Sequence, residues 1–172
     1  ALGHFSPLKP EIIGEGIDLI MVRELVGGLY FGEKEVGVNE RGLRYVKETL
    51  EYDEEQIRRI MHEALQLSMR RKKVLHNIHK SNVLKSSVLW NEVLEEVAVE
   101  YPEVEIKHIL VDAAATLLCL NPGQFDVMVM ENMMGKQVVK KEFKKDLGLN
   151  KWDKMSDPKT KMAVRQKQVS LV

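Results

Sequence analysis

The stretch KVLHNIHKSNVLKSSVLWNEVLEEVAVEYPEVEIKHILVDAAATLLCLNPGQFDVMVM, residues 73–130, decides the architecture. KVLHNIH (73–79) is a short, largely apolar run of strand length. Residues 86–101 carry apolar positions at helical spacing and stop at Pro102, which cannot continue a helix. VEIKHILV (104–111) reads as a second strand. DAAATLLCL (112–120) is a short helix, apolar on almost every side and ended by Asn121-Pro122-Gly123; FDVMVM (125–130) is a third strand. Strands alternating with helices give an α/β fold, a layered sheet with flanking helices and parallel strand pairs. A helix apolar nearly all round needs cover on more than one side. In a domain this small a second copy of the chain is a natural source of it, so homodimerisation is expected.

Toward the N-terminus, IDLIMVREL (17–25) reads as a buried strand, broken by Gly27-Gly28. Residues 27–50 mix glycines with alternating polarity and fit a β-rich arm. Asp53 followed by Gln56 has the spacing of a helix N-cap with a capping-box partner, and Ile57, Ile60, Met61 and Ala64 fall on one helical face behind it. The basic run 70–73 is placed to complement the dipole at that helix's end. Toward the C-terminus the pattern changes at about residue 136. Val139, Phe143 and Leu147 recur every four residues with lysines between them, and Gly148 follows, which is one amphipathic helix with a glycine stop. Beyond Trp152 the periodicity fades, Ser156-Asp157-Pro158 marks a turn, and residues 159–172 are expected to be irregular and partly disordered. The chain therefore divides into residues 1–135 and a basic tail, 136–172.

The 172 residues suffice for one domain with a sizeable core, and 44% hydrophobic with 30% charged residues is ordinary for a soluble globular protein. No run reaches the roughly 18 apolar residues of a membrane helix. The first residues, ALGHFSPLKP, lack the basic and apolar regions of a signal peptide. The one cysteine, Cys119, sits in an apolar run and forms no internal disulfide, which fits a reducing cytoplasm. A formal net charge of zero hides an asymmetry. The tail holds 11 Lys/Arg and 4 Asp/Glu, so of the totals of 26 each the remainder holds 15 and 22, and the two parts carry +7 and −7. No aromatic platform, zinc spacing or RNA-binding motif accompanies the basic tail, so nucleic acid is not the expected partner; an acidic partner or a missing subunit is the alternative.

Four features could carry chemistry. Arg23-Glu24 ends a buried strand just before Gly27-Gly28, where an arginine can clamp a carboxylate bidentately or form a structural ion pair. Tyr30, in the same loop, is a possible general acid or a packing aromatic. Lys80 directly follows the strand KVLHNIH and precedes Asn82, at the strand end where α/β proteins gather ligands, unless it is simply solvated. Asp112 opens the apolar helix as an N-cap or as a ligand for a hard cation. His76 and His79, three apart on a strand, point to opposite faces and do not share a metal; His4, His62 and His108 lack ligand spacing. GxGxxG, Walker, CxxC and HExxH motifs are absent from the chain.

SPLKPEI (6–12), DLIMVRELVGGLYFGE (18–33), HKSNVLKSSVLWNEVLEEVAVEYPEVE (79–105) and HILVDAAATLLCLNPGQFDVMVMENMMG (108–135) together resemble 3-isopropylmalate dehydrogenase and, more loosely, its isocitrate dehydrogenase relatives, in unbroken order through about residues 2–135. The resemblance implies the second, dimer-forming domain of an enzyme that oxidises a 2-hydroxy acid with NAD and Mg²⁺ or Mn²⁺ and then decarboxylates it in leucine biosynthesis. Carried onto this chain, Arg23 would hold the substrate's malate carboxylate, and Tyr30 would protonate the enol after loss of CO₂. Lys80 would take the hydroxyl proton directly or through water, Asn82 would lie beside the nicotinamide, and Asp112 would ligate the metal. Lys80 and Asp112 would reach into the partner subunit's site. The helices near 86–101 and 112–120 would form the intersubunit four-helix bundle, and the region 33–50 would be an arm clasping the partner.

The departures from the family pattern are as specific. The family continues after the glycine at 135 with G-D-x-x-S-D, both aspartates binding the metal; this chain has Lys136 and Lys140 at those positions. Two ammonium groups for two carboxylates change the local charge by four units and should repel a divalent cation. The family's N-terminal part and adenine-binding loop have no counterpart in these residues. The expectation is accordingly a dehydrogenase-derived domain that binds neither NAD nor metal by itself and is inactive alone. Two alternatives stay open: a non-catalytic dimerisation or interaction module whose basic tail binds a partner, and an engineered or fusion fragment.

Overall fold

The computed structural model describes residues 9–13 and 16–135, together with the backbone of a strand at 164–168. In chain order the elements are α1 (Pro10–Ile13), β1 (Leu19–Arg23), β2 (Lys34–Val38), β3 (Arg44–Glu48), α2 (Glu54–Met69), β4 (Val74–His79), α3 (Lys85–Ala98), β5 (Glu105–Leu110), α4 (Val111–Leu120), β6 (Val127–Met130) and β7 (Val164–Gln168). The main sheet has the order β5-β4-β6-β1-β7, and each of its neighbouring pairs is parallel. The expected α/β layering is thus realised. The arm is an antiparallel hairpin, β2 against β3, standing apart from that sheet.

Each element follows from local chemistry. The Asp53 carboxylate caps α2 by accepting from the Gln56 backbone N–H at 2.7 Å. The reciprocal half of the capping box is not made: Gln56 Oε1 is buried without a hydrogen-bond partner. The basic run expected to close α2 lies past it. Met69 is the last helical residue, Arg70 is the C-cap, and Arg71 reaches away to Asp126 at 2.6 Å. An ion pair to a buried carboxylate outcompetes the weaker attraction of a helix end.

The sheet separates two apolar cores. Ile57, Ile60, Met61, Ala64 and Leu65 of α2 and Trp90, Val93, Leu94 and Val97 of α3 pack on one face, against Val22, Leu75, Val127 and Val129. The other face carries Val111, Ala114 and Leu118 of α4 with Ile78, Phe125, Met128 and Met130. Fully burying side chains of this size contributes roughly 1.5–3 kcal/mol each. β4 shows the strand period directly: His76 meets the Phe125 ring edge-on on the α4 face, while His79 lies beside His108 on the other, as the spacing requires. Trp90 donates from Nε1 to Asn77 Oδ1 at 2.9 Å, and the Asn77 amide donates onward to Asn91 and His108, so the buried Asn77 side chain is paired.

The tail contributes one strand that its sequence does not signal. Residues 159–172 show no periodicity and are expected to be irregular, yet Val164–Gln168 forms β7, in parallel register with β1 from Leu19↔Val164 to Arg23↔Gln168. An edge strand needs only the unpaired N–H and C=O groups of its neighbour, and hydrophobic periodicity does not report them. The amphipathic helix expected at 139–147 and the turn at 156–158 lie outside the described residues. Among the described residues no helix is long and apolar enough to cross a membrane.

Candidate functional site

Parallel strands put all their carboxyl ends on one edge of the sheet, and four of the five deliver polar residues there. Arg23 ends β1, Lys80 follows β4, Asp112 sits just past β5, and Glu131 and Asn132 follow β6. The residues singled out from the sequence therefore share an edge although they are far apart in the chain.

Arg23 is half-buried and is held by Asn132. Its Nε donates to the Asn132 backbone carbonyl at 3.0 Å and its Nη2 to Asn132 Oδ1 at 2.8 Å. Burial lowers the guanidinium's pKa from its usual value, but an arginine stays charged under such a shift. Among the described residues Arg23 makes no ion pair, the alternative the sequence left open for it. Glu24 is buried and turns to the loop instead, accepting from the backbone N–H groups of Val26 at 2.7 Å and Gly27 at 2.9 Å, with Arg59 at 3.8 Å. Successive peptide N–H groups of a tight turn converge where two separate side chains could not. That turn needs Gly28, whose φ of +81° favours glycine and whose absent Cβ leaves room for the Tyr52 ring 2.8 Å away. Tyr30 lies beyond this turn and is 38% exposed, so it is not a core aromatic.

Lys80 and Asp112 form an ion pair through Nζ and Oδ2. Asp112 is not the N-cap of α4: Leu110 occupies that position, without a side-chain cap, and Asp112 lies in the first helical turn. Its carboxylate there gains from both the lysine and the helix dipole. The Lys80 backbone N–H donates to Ser87 Oγ at 3.1 Å, and Ser87 Oγ donates in turn to the buried carboxyl of Glu131. Burial pushes the Glu131 carboxyl above the ordinary carboxylate range, with the Ser87 hydroxyl opposing that shift. Asn82, two residues past Lys80, is exposed.

Lys80 and Asp112 are not brought onto Arg23. β6 lies between β1 and β4, and β5 lies one strand further out, so β1 and β5 are three strand spacings apart, roughly 14 Å. On one chain Arg23 and the Lys80–Asp112 ion pair therefore stand apart along the same edge.

The described residues of one chain do not fit a divalent cation. They contain no group of three or more His, Cys, Asp or Glu side chains able to hold a metal ion, and the one carboxylate expected to ligate it, Asp112, is paired with Lys80. Lys136 and Lys140 lie outside the described residues.

Sequence reasoning missed Tyr52, Glu131 and Asn132. The Tyr52 hydroxyl accepts from the Asn132 backbone N–H at 3.0 Å, and burial raises its pKa. Asn132 Nδ2 donates to the Gly27 carbonyl at 3.1 Å. The available signal was a Glu-Asn pair directly after a wholly apolar strand, a place where polar side chains become buried and must find partners.

The model of the family described as isocitrate/isopropylmalate dehydrogenase matches residues 1–138. The chain belongs to the isocitrate/isopropylmalate dehydrogenase family. Within it, the chain is 47% identical over 135 residues to a 3-isopropylmalate dehydrogenase of Hydrogenovibrio crunogenus, covering 78% of this chain and 38% of that protein. It is 49% identical over 135 residues to the enzyme of that name from Priestia megaterium, covering 78% of this chain and 36% of that one. Among solved structures, isocitrate dehydrogenase from Methylococcus capsulatus matches with a TM-score of 0.69 and 27% identity, over 78% of this chain and 39% of the other. The TT0538 protein from Thermus thermophilus matches with a TM-score of 0.67 and 33% identity, over 78% of this chain and 27% of the other. The chain thus spans a little over a third of the length of the 3-isopropylmalate dehydrogenases it matches.

Proposed function

We propose that residues 1–135 are the substrate-carboxylate and dimerisation domain of a 3-isopropylmalate dehydrogenase-type enzyme, and that residues 136–172 are a tail of separate origin. The observation that carries this reading is the convergence of Arg23, Lys80 and Asp112 on the carboxyl edge of a parallel sheet as two separated half-sites. Two half-sites on one chain are what a site shared between two subunits requires. Arg23 binds a carboxylate of the 2-hydroxy acid, Tyr30 supplies the proton to the enol, and Lys80 accepts the hydroxyl proton. In the dimer Lys80 and Asp112 of one subunit face Arg23 and Tyr30 of the other. On α4, Ala113, Thr116 and Leu120 are exposed, the last at 63%, and a second copy would cover that face.

NAD would accept the hydride in this chemistry, with Asn82 beside the nicotinamide. Hydride transfer needs the nicotinamide held against the substrate, so these residues complete a turnover only with a nucleotide-binding segment. The acidic cluster of a metal site is not matched here, so Mg²⁺ or Mn²⁺ is not expected to bind. The single cysteine of the sequence, Cys119, accords with a cytoplasmic setting. Lysines at 136 and 140 favour a second reading, a non-catalytic dimer whose tail engages an acidic protein.

The test is a calorimetric titration of 3-isopropylmalate, then NAD, into the purified protein, with Mn²⁺ and with EDTA, alongside light scattering on a sizing column. Substrate heat that is indifferent to Mn²⁺, from a dimer, is the expected result. A strict monomer, or a dimer silent to the substrate, would sink the first reading and leave the second. A saturable Mn²⁺ requirement abolished in Asp112→Asn would show the metal reading to be wrong.

A further inference from the structure

We infer that Asn132 is a positioning residue that grips one edge of the Arg23 guanidinium and so turns the opposite edge toward a ligand carboxylate. A guanidinium carries five N–H bonds in one plane, and two neighbouring ones can serve a carboxylate bidentately. Asn132 takes the Nε–H and one Nη2–H, by its backbone carbonyl and its side-chain Oδ1. What is left is the Nη1/Nη2 edge. Among the described residues no carboxylate forms an ion pair with Arg23, although buried Glu24 is its neighbour in the chain; Glu24 is committed to the Val26 and Gly27 N–H groups.

Asn132 can do this because it is itself fixed. It is 2% exposed, and its backbone and side-chain polar groups are all engaged. The backbone N–H donates to the Tyr52 hydroxyl, Nδ2 donates to the Gly27 carbonyl, and the carbonyl and Oδ1 receive Arg23. The side-chain amide is thereby read in one orientation, oxygen toward Arg23 and nitrogen toward Gly27. An aspartate of the same shape would lose the donor to Gly27 and place a negative charge against the guanidinium. A leucine would lose both bonds. Gly135 completes the grip from below: a Cβ there would lie 2.6 Å from Arg23 Cγ and 3.0 Å from its Nε, so the arginine stem rests on bare backbone. The residue thus ties β6 to the arginine of β1 and to the 26–28 turn at the same time.

The grip on the guanidinium stands on these hydrogen bonds alone. Its use for a ligand carboxylate rests on the carboxylate-binding reading above, so the experiment measures the two separately. The full 172-residue protein, ¹⁵N-labelled, is examined for the Arg23 side-chain Nε–H signal, assigned by its disappearance in Arg23→Lys. The same protein is titrated with 3-isopropylmalate. Wild type is expected to show a slowly exchanging Arg23 signal, and Asn132→Ser, which loses the Oδ1 acceptor and the Nδ2 tie to Gly27 that fixes the carbonyl, a signal in faster exchange. The Kd for 3-isopropylmalate should weaken by roughly tenfold or more in Asn132→Asp and in Arg23→Lys, which keeps the charge but not the fork. A merely structural role for Asn132 would lower the melting temperature and leave Kd and exchange alone.

An Arg23 signal already in fast exchange in the wild type overturns the inference, whatever the titration gives. So does an Asn132→Asp protein that binds like wild type. A wild type silent to the ligand but with a protected Arg23 signal, lost in Asn132→Ser, defeats the substrate reading and upholds the grip. If the Asn132 variants do not fold, Arg23→Lys with wild-type affinity overturns it.

Discussion

Gly135→Ala sets two physical effects against each other with opposite signs. Gly135 closes a helical turn over residues 132–135, its N–H donating to the Glu131 carbonyl at 2.9 Å, and its φ is not in the left-handed region. Backbone entropy therefore favours alanine by about 0.5–1 kcal/mol. The new methyl, however, would lie 2.6 Å from Arg23 Cγ, closer still to Cδ and 3.0 Å from Nε. Carbon contacts are comfortable only at about 3.5–4.0 Å, so the stem must withdraw by about 1 Å. It cannot swing freely, because the guanidinium is fastened to Asn132 at 2.8 and 3.0 Å. Withdrawal by that distance carries both bonds past the roughly 3.2 Å at which an N–H···O bond is still good. Bonds to a charged group contribute roughly 1.5–3 kcal/mol each, and a half-buried arginine recovers part of that from water. A loss of about 2–3 kcal/mol against a gain of about 0.5–1 leaves Gly135→Ala destabilising by about 1–2 kcal/mol. For a chain of this length that lowers the melting temperature by about 2–8 °C. Urea unfolding of wild type, Gly135→Ala, Arg23→Ala and the double variant closes a thermodynamic cycle. With Arg23 removed the obstruction is gone, and Gly135→Ala should stabilise by about 0.5–1 kcal/mol, a coupling of about 2–3 kcal/mol. If Gly135→Ala stabilised the wild type, or cost the same with and without Arg23, the contact would not be the constraint described.

Two further outcomes concern pH. Burial holds the His76 pKa below its usual value near 6.5, so the unfolded chain takes up a proton that the folded one refuses, and stability is lost as pH falls through 6.5. His76→Phe, filling the same site against Phe125, should reduce the fall in melting temperature between about pH 7 and about pH 5. His79, lowered in the same direction, leaves some of that slope, and an unchanged slope would show that His76 is not protonated on unfolding. Glu131 runs the other way. Its folded pKa lies above the ordinary value, so the folded state binds the extra proton, and stability is lost as pH rises from that value through the folded one. Glu131→Gln, able to accept from Ser87, should be more stable than wild type at about pH 8, the difference closing by about pH 4; a pH-independent difference would contradict the burial argument.

The alternation of strands and helices in residues 73–130 was legible because each period reports which faces are buried. The helix ending before Pro102, the break at Gly27-Gly28 and the Asp53 cap are local statements about dihedrals and orphan N–H groups, and they survive in the fold. The candidate residues were legible too, since Arg23 and Lys80 follow strands and parallel strands share a carboxyl edge. Three details were not. Asp112 could have been a cap, Arg23 could have formed a structural ion pair, and residues 164–168 gave no periodic signal. Each depends on which groups compete for a partner, and competitors come from elsewhere in the chain.

Sequence by itself therefore determined the α/β class, the order of elements from β1 to β6, the family pattern and the charge division at residue 136, because these follow from local periodicity and residue type. Only the tertiary structure decided the strand order β5-β4-β6-β1-β7, which separates Lys80 and Asp112 from Arg23 by intervening strands. It also decided that Asn132, 109 residues from Arg23 in sequence, supplies both acceptors for that guanidinium. Hydrogen bonds and strand pairing act through space at about 3–5 Å, and separation along the chain carries no information about them.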